Sequence, residues 1–266
     1  MKIGKETEVS TAISTSTADQ IVVRGKDLCV DLIGKVDFTG YFYLLVTGQA
    51  PTPAASAVLN ATLVAIAEHG LVPSVQASRM TYAAAPDALQ GAVAAGILGC
   101  GSVILGASET AGILFHEIEQ KAVREDCGLR DATIAILTEY RAQRKAIPGY
   151  GHPLHKERDP RVNALFEVAR SAGASMKYVE IAEAVEDAIP DVVGKSLKLN
   201  VSAAIPAVLL GVGFPVQSLK GVPILARTAG LIGHLAEEVE RPIGFALSYQ
   251  ASKELRYDGD MPASAN

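Results

Sequence analysis

The stretch Pro148-Gly149-Tyr150-Gly151-His152-Pro153-Leu154-His155-Lys156 concentrates residue types that do chemistry. Its two glycines let backbone approach a ligand closely and present amide donors. His152 can donate a hydrogen bond or exchange a proton near neutral pH. Lys156, Arg158 and Arg161 add positive charge suited to an anionic partner. The same residues also read as a Gly-Pro turn leading into a solvated basic helix, and residue types alone leave both readings open. His69 ends an apolar run in Glu68-His69-Gly70, where a cation at a helix C-terminus is equally at home. His234, in Ile232-Gly233-His234-Leu235, carries the same ambiguity. Arg227 follows an apolar run and needs a carboxylate, either internal or from a ligand. Arg241, before Pro242, also reads as a surface residue at a helix end. No HxxxH or HxH pair with nearby acids occurs, so no metal site is predicted.

The elements that must position these groups are mostly helices. Gln20–Leu28 alternates around a Gly-containing turn and predicts two short strands, an edge ornament rather than a core sheet. Helices are predicted over Phe38–Thr47, Ala54–His69, Ala88–Gly106, Ser108–Arg124, Asp131–Lys145, Leu199–Leu210 and Gly221–Glu240. Apolar residues recur at i, i+3, i+4 and i+7 from Ala111, and similarly from Val162 and Tyr178, giving one-sided faces. The last of these is expected to end before Pro190. Residues 146–160 break the period with three prolines and two glycines. No repeat or interdomain linker is evident.

Apolar residues make up 49% of the chain and aromatics only 5%, with no tryptophan, which favours closely approaching Ala-rich helices. The net charge of −5 argues against general binding to nucleic acid backbones. Ala88–Gly106 has 19 uncharged residues, but its five glycines and one Gln favour a buried helix of a soluble core over a bilayer span. Three cysteines without a CxxC pair and an amino terminus lacking an apolar signal core predict a reduced, cytoplasmic protein.

These pieces, in this order, resemble the citrate synthase superfamily, especially the short citryl-CoA lyases and the lyase module of ATP-citrate lyase. The matching residues are Glu68-His69-Gly70, Gly149-Tyr150-Gly151-His152, Asp159-Pro160-Arg161, Leu199-Asn200-Val201, Ala226–His234 and Glu240-Arg241-Pro242. The resemblance implies an all-α fold with a short N-terminal β-hairpin, a large helical dimerisation domain (1–104 and 205–266), and a smaller inserted CoA-binding domain (105–204), with the ligand in the cleft between them. It implies that His69 and His152 hold the oxaloacetate or citryl portion, and that Arg161, Arg227 and Arg241 bind substrate carboxylates, Arg241 from across a dimer. Gly149, Tyr150 and Gly151 would lie near CoA, with Lys195 and Lys198 at its phosphates. Coenzyme A would be part of the substrate, with no permanently bound cofactor.

The chain also departs from that pattern. The synthases' catalytic histidine corresponds to Leu105, which steers the reading to the lyase branch. The family's general base, an aspartate after Asn-Val, corresponds to Ser202, and the arginine after the loop histidine to Pro153. Losing a positioned base typically removes about 10²–10⁴-fold in rate. The expected activity is cleavage of a citryl-CoA-like thioester to acetyl-CoA and a 2-oxo acid such as oxaloacetate. The alternatives are a diverged CoA-thioester lyase or decarboxylase, a synthase-like acyltransferase, or a catalytically silent CoA- or carboxylate-binding protein.

Overall fold

The computed structural model describes residues 9–151 and 157–261, apart from the side chains of residues 102–104. Among the described residues the chain forms three short strands and eleven α-helices, and it is 67% helical, so the expected all-α class holds. It packs as two compact units, one of residues 1–65 with 107–222 and the other of 66–106 with 223–266. These bounds group residues by packing. The assignment of dimerisation to 1–104 and 205–266 and of CoA binding to 105–204 is a statement about function and stands as a proposal.

In the first unit, the antiparallel strands β1 (Ser14–Ser16), β2 (Ile21–Val23) and β3 (Lys26–Asp27) lie in that order. The predicted hairpin turns at Arg24-Gly25, and β1 is an addition to it. Far from being loose, the sheet is pinned to α1 (Phe38–Thr47). Val23 and Leu32 bury against Leu44, and the Arg24 guanidinium donates to the Leu45 carbonyl. After α2 (Pro53–Ala67), the main core of this unit comes from later helices: α5 (Gly106–Glu125), α6 (Leu129–Ala142), α7 (Pro160–Ser171), α8 (Lys177–Val193) and α9 (Val201–Gly211). The predicted i, i+3, i+4, i+7 faces are the ones buried, with Leu114, Phe115, Ile118, Val185, Ile189 and Leu209 almost fully enclosed. Contrary to expectation, Pro190 lies inside α8, one turn from its end. There the ring forfeits a single amide, and Gly194 N–H closes the helix on the Pro190 carbonyl.

The second unit joins α3 (Pro73–Ala84), α4 (Leu89–Ile104), α10 (Gly221–Glu240, from Pro223 on) and α11 (Gly244–Glu254), with α3 packed on α4 and on α11. Sequence periodicity does not find α3, because its inward face is polar: Ser74, Ser78 and Arg79 are buried there beside Val75. The helix expected over Ala88–Gly106 is broken at Gly101, whose backbone (φ 52°, ψ −172°) leaves the helical region. No single described helix is long and apolar enough to cross a membrane.

Candidate active site

In the first unit the predicted loop is held by main chain. Tyr150 forms an isolated antiparallel bridge with Leu199, flanked by Gly151 N–H to the Lys198 carbonyl (2.7 Å) and Asn200 N–H to the Gly149 carbonyl (3.0 Å). At Gly149 (φ 85°) a Cβ would stand 2.4 Å from Ala203 Cβ and 2.8 Å from Ala203 N. Only glycine allows this loop to lie on the first turn of α9. Asn200 caps that helix, with Oδ1 accepting from Ser202 N–H at 2.9 Å and Nδ2 donating to the Gly151 carbonyl at 2.8 Å. Ser202 is thus the second residue of α9, half-buried beneath the loop.

Asp159 caps α7, accepting from Arg161 N–H, and its carboxylate also takes the Val201 N–H. One buried carboxylate therefore serves the starts of two helices, where the helix dipole favours negative charge. Arg161 closes on it as a fork, Nε to Oδ1 at 3.1 Å and Nη2 to Oδ2 at 2.7 Å, while Nη1 reaches the Ala65 carbonyl at 3.4 Å. Burial pushes the Asp159 carboxyl up, but the Arg161 fork and the two amides outweigh it and hold it below the usual range. Among the described contacts three of the five guanidinium N–H donors are engaged. Arg158 pairs with Glu183 and with the buried Glu186, whose other oxygen accepts Leu199 N–H at 3.0 Å.

Tyr150 is buried, and its hydroxyl donates to the Ala182 carbonyl at 2.7 Å. Burial, helped by the Glu186 charge, raises its pKa well above the ordinary value. It supports the loop rather than offering a phenol to solvent. Beside it runs a groove of about 400 Å³ lined by Arg141, Arg144, Lys145, Lys195 and the apolar Ile147 and Leu197. Lys198 is exposed and does not line this groove. The family resemblance points to Lys195 but to none of the other three cations. Their signal, an Arg141–Lys145 basic stretch ahead of the Gly loop, is present in the sequence.

In the second unit the polar groups are held by side chains. Glu68 Oε1 accepts the His69 N–H at 2.7 Å and also the Gly70 N–H, while Oε2 lies 2.8 Å from His234 Nε2 in a bent approach. Burial pushes the Glu68 carboxyl up, and the His234 imidazole and the two amides more than reverse that. His69 itself is exposed. Gly230 brings α10 against this turn: a Cβ there would sit 2.0 Å from the Ala67 carbonyl oxygen. Arg227, half-buried, lies one turn before Gly230, and His234 one turn after it, on the same helix face. Further along, buried Arg79 donates to Glu238 (2.5 Å), to Glu237 (2.9 Å) and to the Arg241 carbonyl (2.9 Å). Glu238 in turn accepts the Ile243 and Gly244 N–H groups. Arg241 is exposed at this corner. Leu105 is buried in the same unit, its N–H on the Gly101 carbonyl at 3.1 Å.

His152, His155 and Lys156 lie outside the described residues. Among the described residues no three His, Cys, Asp or Glu side chains form a group that could hold a metal ion.

The family described as citrate synthase, C-terminal domain, matches residues 21–243. The chain belongs to the citrate synthase family. It is 32% identical to the citryl-CoA lyase of Hydrogenobacter thermophilus, with a TM-score of 0.83 and 97% of each chain covered. The ATP citrate lyase of Methanothrix soehngenii, solved with citrate and coenzyme A, shares the fold at 23% identity and TM-score 0.75, over 98% of this chain and 43% of that one. The citrate synthase of a Synechocystis species is 28% identical over 211 residues, 77% of this chain. The chain spans about half the length of that relative, 50%. The fold-building roles of Asp159, Asn200, Glu186, Arg79 and Glu238 come from the structure.

Proposed function

We propose that this chain is a citryl-CoA lyase-like enzyme, cleaving a carboxylate-bearing CoA thioester to acetyl-CoA and a 2-oxo acid such as oxaloacetate. The likeness to citryl-CoA lyase along 97% of both chains carries this reading. The cation-lined groove beside the Gly149–Gly151 loop supports it, because a CoA thioester brings phosphates and an apolar arm together. In this reading Arg141, Arg144, Lys145 and Lys195 meet the phosphates, while Lys198, outside the groove, does not. The amides around Gly149 and Gly151 lie along the pantetheine. Arg161, Arg227 and Arg241 take the substrate carboxylates, the last from the partner in a homodimer.

The chemistry is a retro-aldol cleavage. The tertiary hydroxyl gives its proton to solvent through the water that Ser202 orients, and its oxygen becomes the ketone of the 2-oxo acid. The carbon–carbon bond breaks, its electrons pass to the thioester enolate, and that carbon takes up a proton to give acetyl-CoA. His152 hydrogen-bonds the oxygen at the reacting carbon, and His69 holds the citryl portion. Ser202, with a hydroxyl in place of a carboxylate, orients a water rather than removing the proton itself. Electrostatic stabilisation of the developing oxyanion then carries most of the rate enhancement.

Ser202 and Leu105 favour one second reading, a homologue that binds CoA and carboxylates without turnover. Incubation with citryl-CoA, monitored for oxaloacetate, separates the two. Release supports the lyase. Calorimetric binding of CoA and citrate without release supports the silent binder.

A further inference from the structure

We propose that Glu68 and His234 are positioning residues for His69, forming a latch that fastens the Glu68–Gly70 turn to the face of α10 that carries Arg227. Three observations carry this inference. Both oxygens of the Glu68 carboxylate are used, one on the His69 and Gly70 amides and the other at 2.8 Å from His234 Nε2. His234 is 14% exposed on its side chain and Glu68 52%, so a largely buried imidazole meets a carboxylate at the edge of the solvent. Gly230 lets the Ala67 carbonyl touch α10 where any Cβ would collide with it, so the latch closes onto a seat already shaped for it.

Arg227, Gly230 and His234 recur at i, i+3 and i+7, and therefore share one helix face. The latch thus ties the backbone of His69 to the helix that bears Arg227, and it sets the spacing of an imidazole and a guanidinium. That spacing selects which carboxylate arrangement can be held by both. The inference rests on the carboxylate-bearing substrate proposed above and adds the residues that set its recognition. Glu68 and His234 act through His69 and need not touch the substrate.

The test uses the full chain and its Glu68→Ala, Glu68→Gln and His234→Ala variants. Citrate and CoA affinities are measured by calorimetry, and amide exchange at His69 and Gly70 by NMR. Displacing a ligand-holding group by about 1 Å can cost about 10²-fold in function. Glu68→Ala and His234→Ala are therefore expected to weaken citrate binding by about 10-fold or more while leaving CoA binding unchanged. They are also expected to speed exchange at both amides. Glu68→Gln keeps an oxygen for those amides and restores most of the citrate affinity. Equal loss of both ligands, unaltered citrate affinity, or unaltered exchange overturns the inference. A wild-type protein that binds CoA but neither citrate nor oxaloacetate defeats the functional reading instead, and exchange at His69 and Gly70 then decides the latch alone.

Discussion

Around Ser202 a strip of main-chain pairing is added to carboxylate anchors such as Asp159 and Glu186, whereas around His69 and Arg241 the polar groups described above are gathered by the carboxylates of Glu68 and Glu238. At the first centre, the Gly149–Gly151 strip pairs with Lys198–Asn200 through main-chain hydrogen bonds, and Asn200 and Asp159 satisfy the amides that open α9. At the second, Glu68 and Glu238 each gather two backbone amides and one basic side chain. The difference bears on how the family site can change. A backbone scaffold tolerates a new side chain, so serine can stand at position 202 without unravelling the turn that presents it. A scaffold of side chains depends on each partner.

The sharpest way to break the comparison is Arg79→Met. Removing one member of a buried ion pair typically costs about 3–5 kcal/mol, because its partner is left charged and buried. Urea unfolding should report a loss of that size, and Arg79→Met with Glu238→Gln should recover much of it. Gly149→Ala comes next, since it attacks the backbone-held centre at the backbone. A left-handed non-glycine residue and the overlap with Ala203 together predict a loss of about 2–4 kcal/mol, read by the same unfolding curves. Asn200→Ala removes a helix cap and should cost about 1 kcal/mol.

The most specific effect, and the smallest in its change across pH 5 to 7, belongs to Asp159. Its folded pKa is lowered, so the stability it contributes is complete above its unfolded pKa of about 4 and is lost as pH falls through the lower folded value. Acid unfolding of the wild type should therefore steepen below about pH 4. Asp159→Asn should flatten that limb, with little added pH dependence between pH 5 and 7.

Much of the scaffold was legible because burial follows period. The bounds of α1 and α10 agree with those read from the sequence, and the faces from Ala111, Val162 and Tyr178 are the buried ones. Two helices escaped that logic. The inward face of α3 carries Ser78, which donates to the Ala92 carbonyl, and Arg79. In α11, Phe245 and Tyr249 face solvent and only Gly244 is buried, so no apolar stripe marks it. At the site, residue order supplied the family, but pairing across distant sequence could not be read. Nothing near Arg79 announces Glu238, and nothing near Glu68 announces His234. Asp159 had a local signal, an acid directly before a proline at a helix start, that marks a cap.

The central claim is lyase chemistry at a site where serine replaces the acid, and citryl-CoA cleavage tests it most directly. Wild-type protein should release oxaloacetate and acetyl-CoA in equal amounts, and Ser202→Asp should release them faster, since a positioned base is worth up to about 10²–10⁴-fold. Binding of citryl-CoA with no release from either protein would contradict the account.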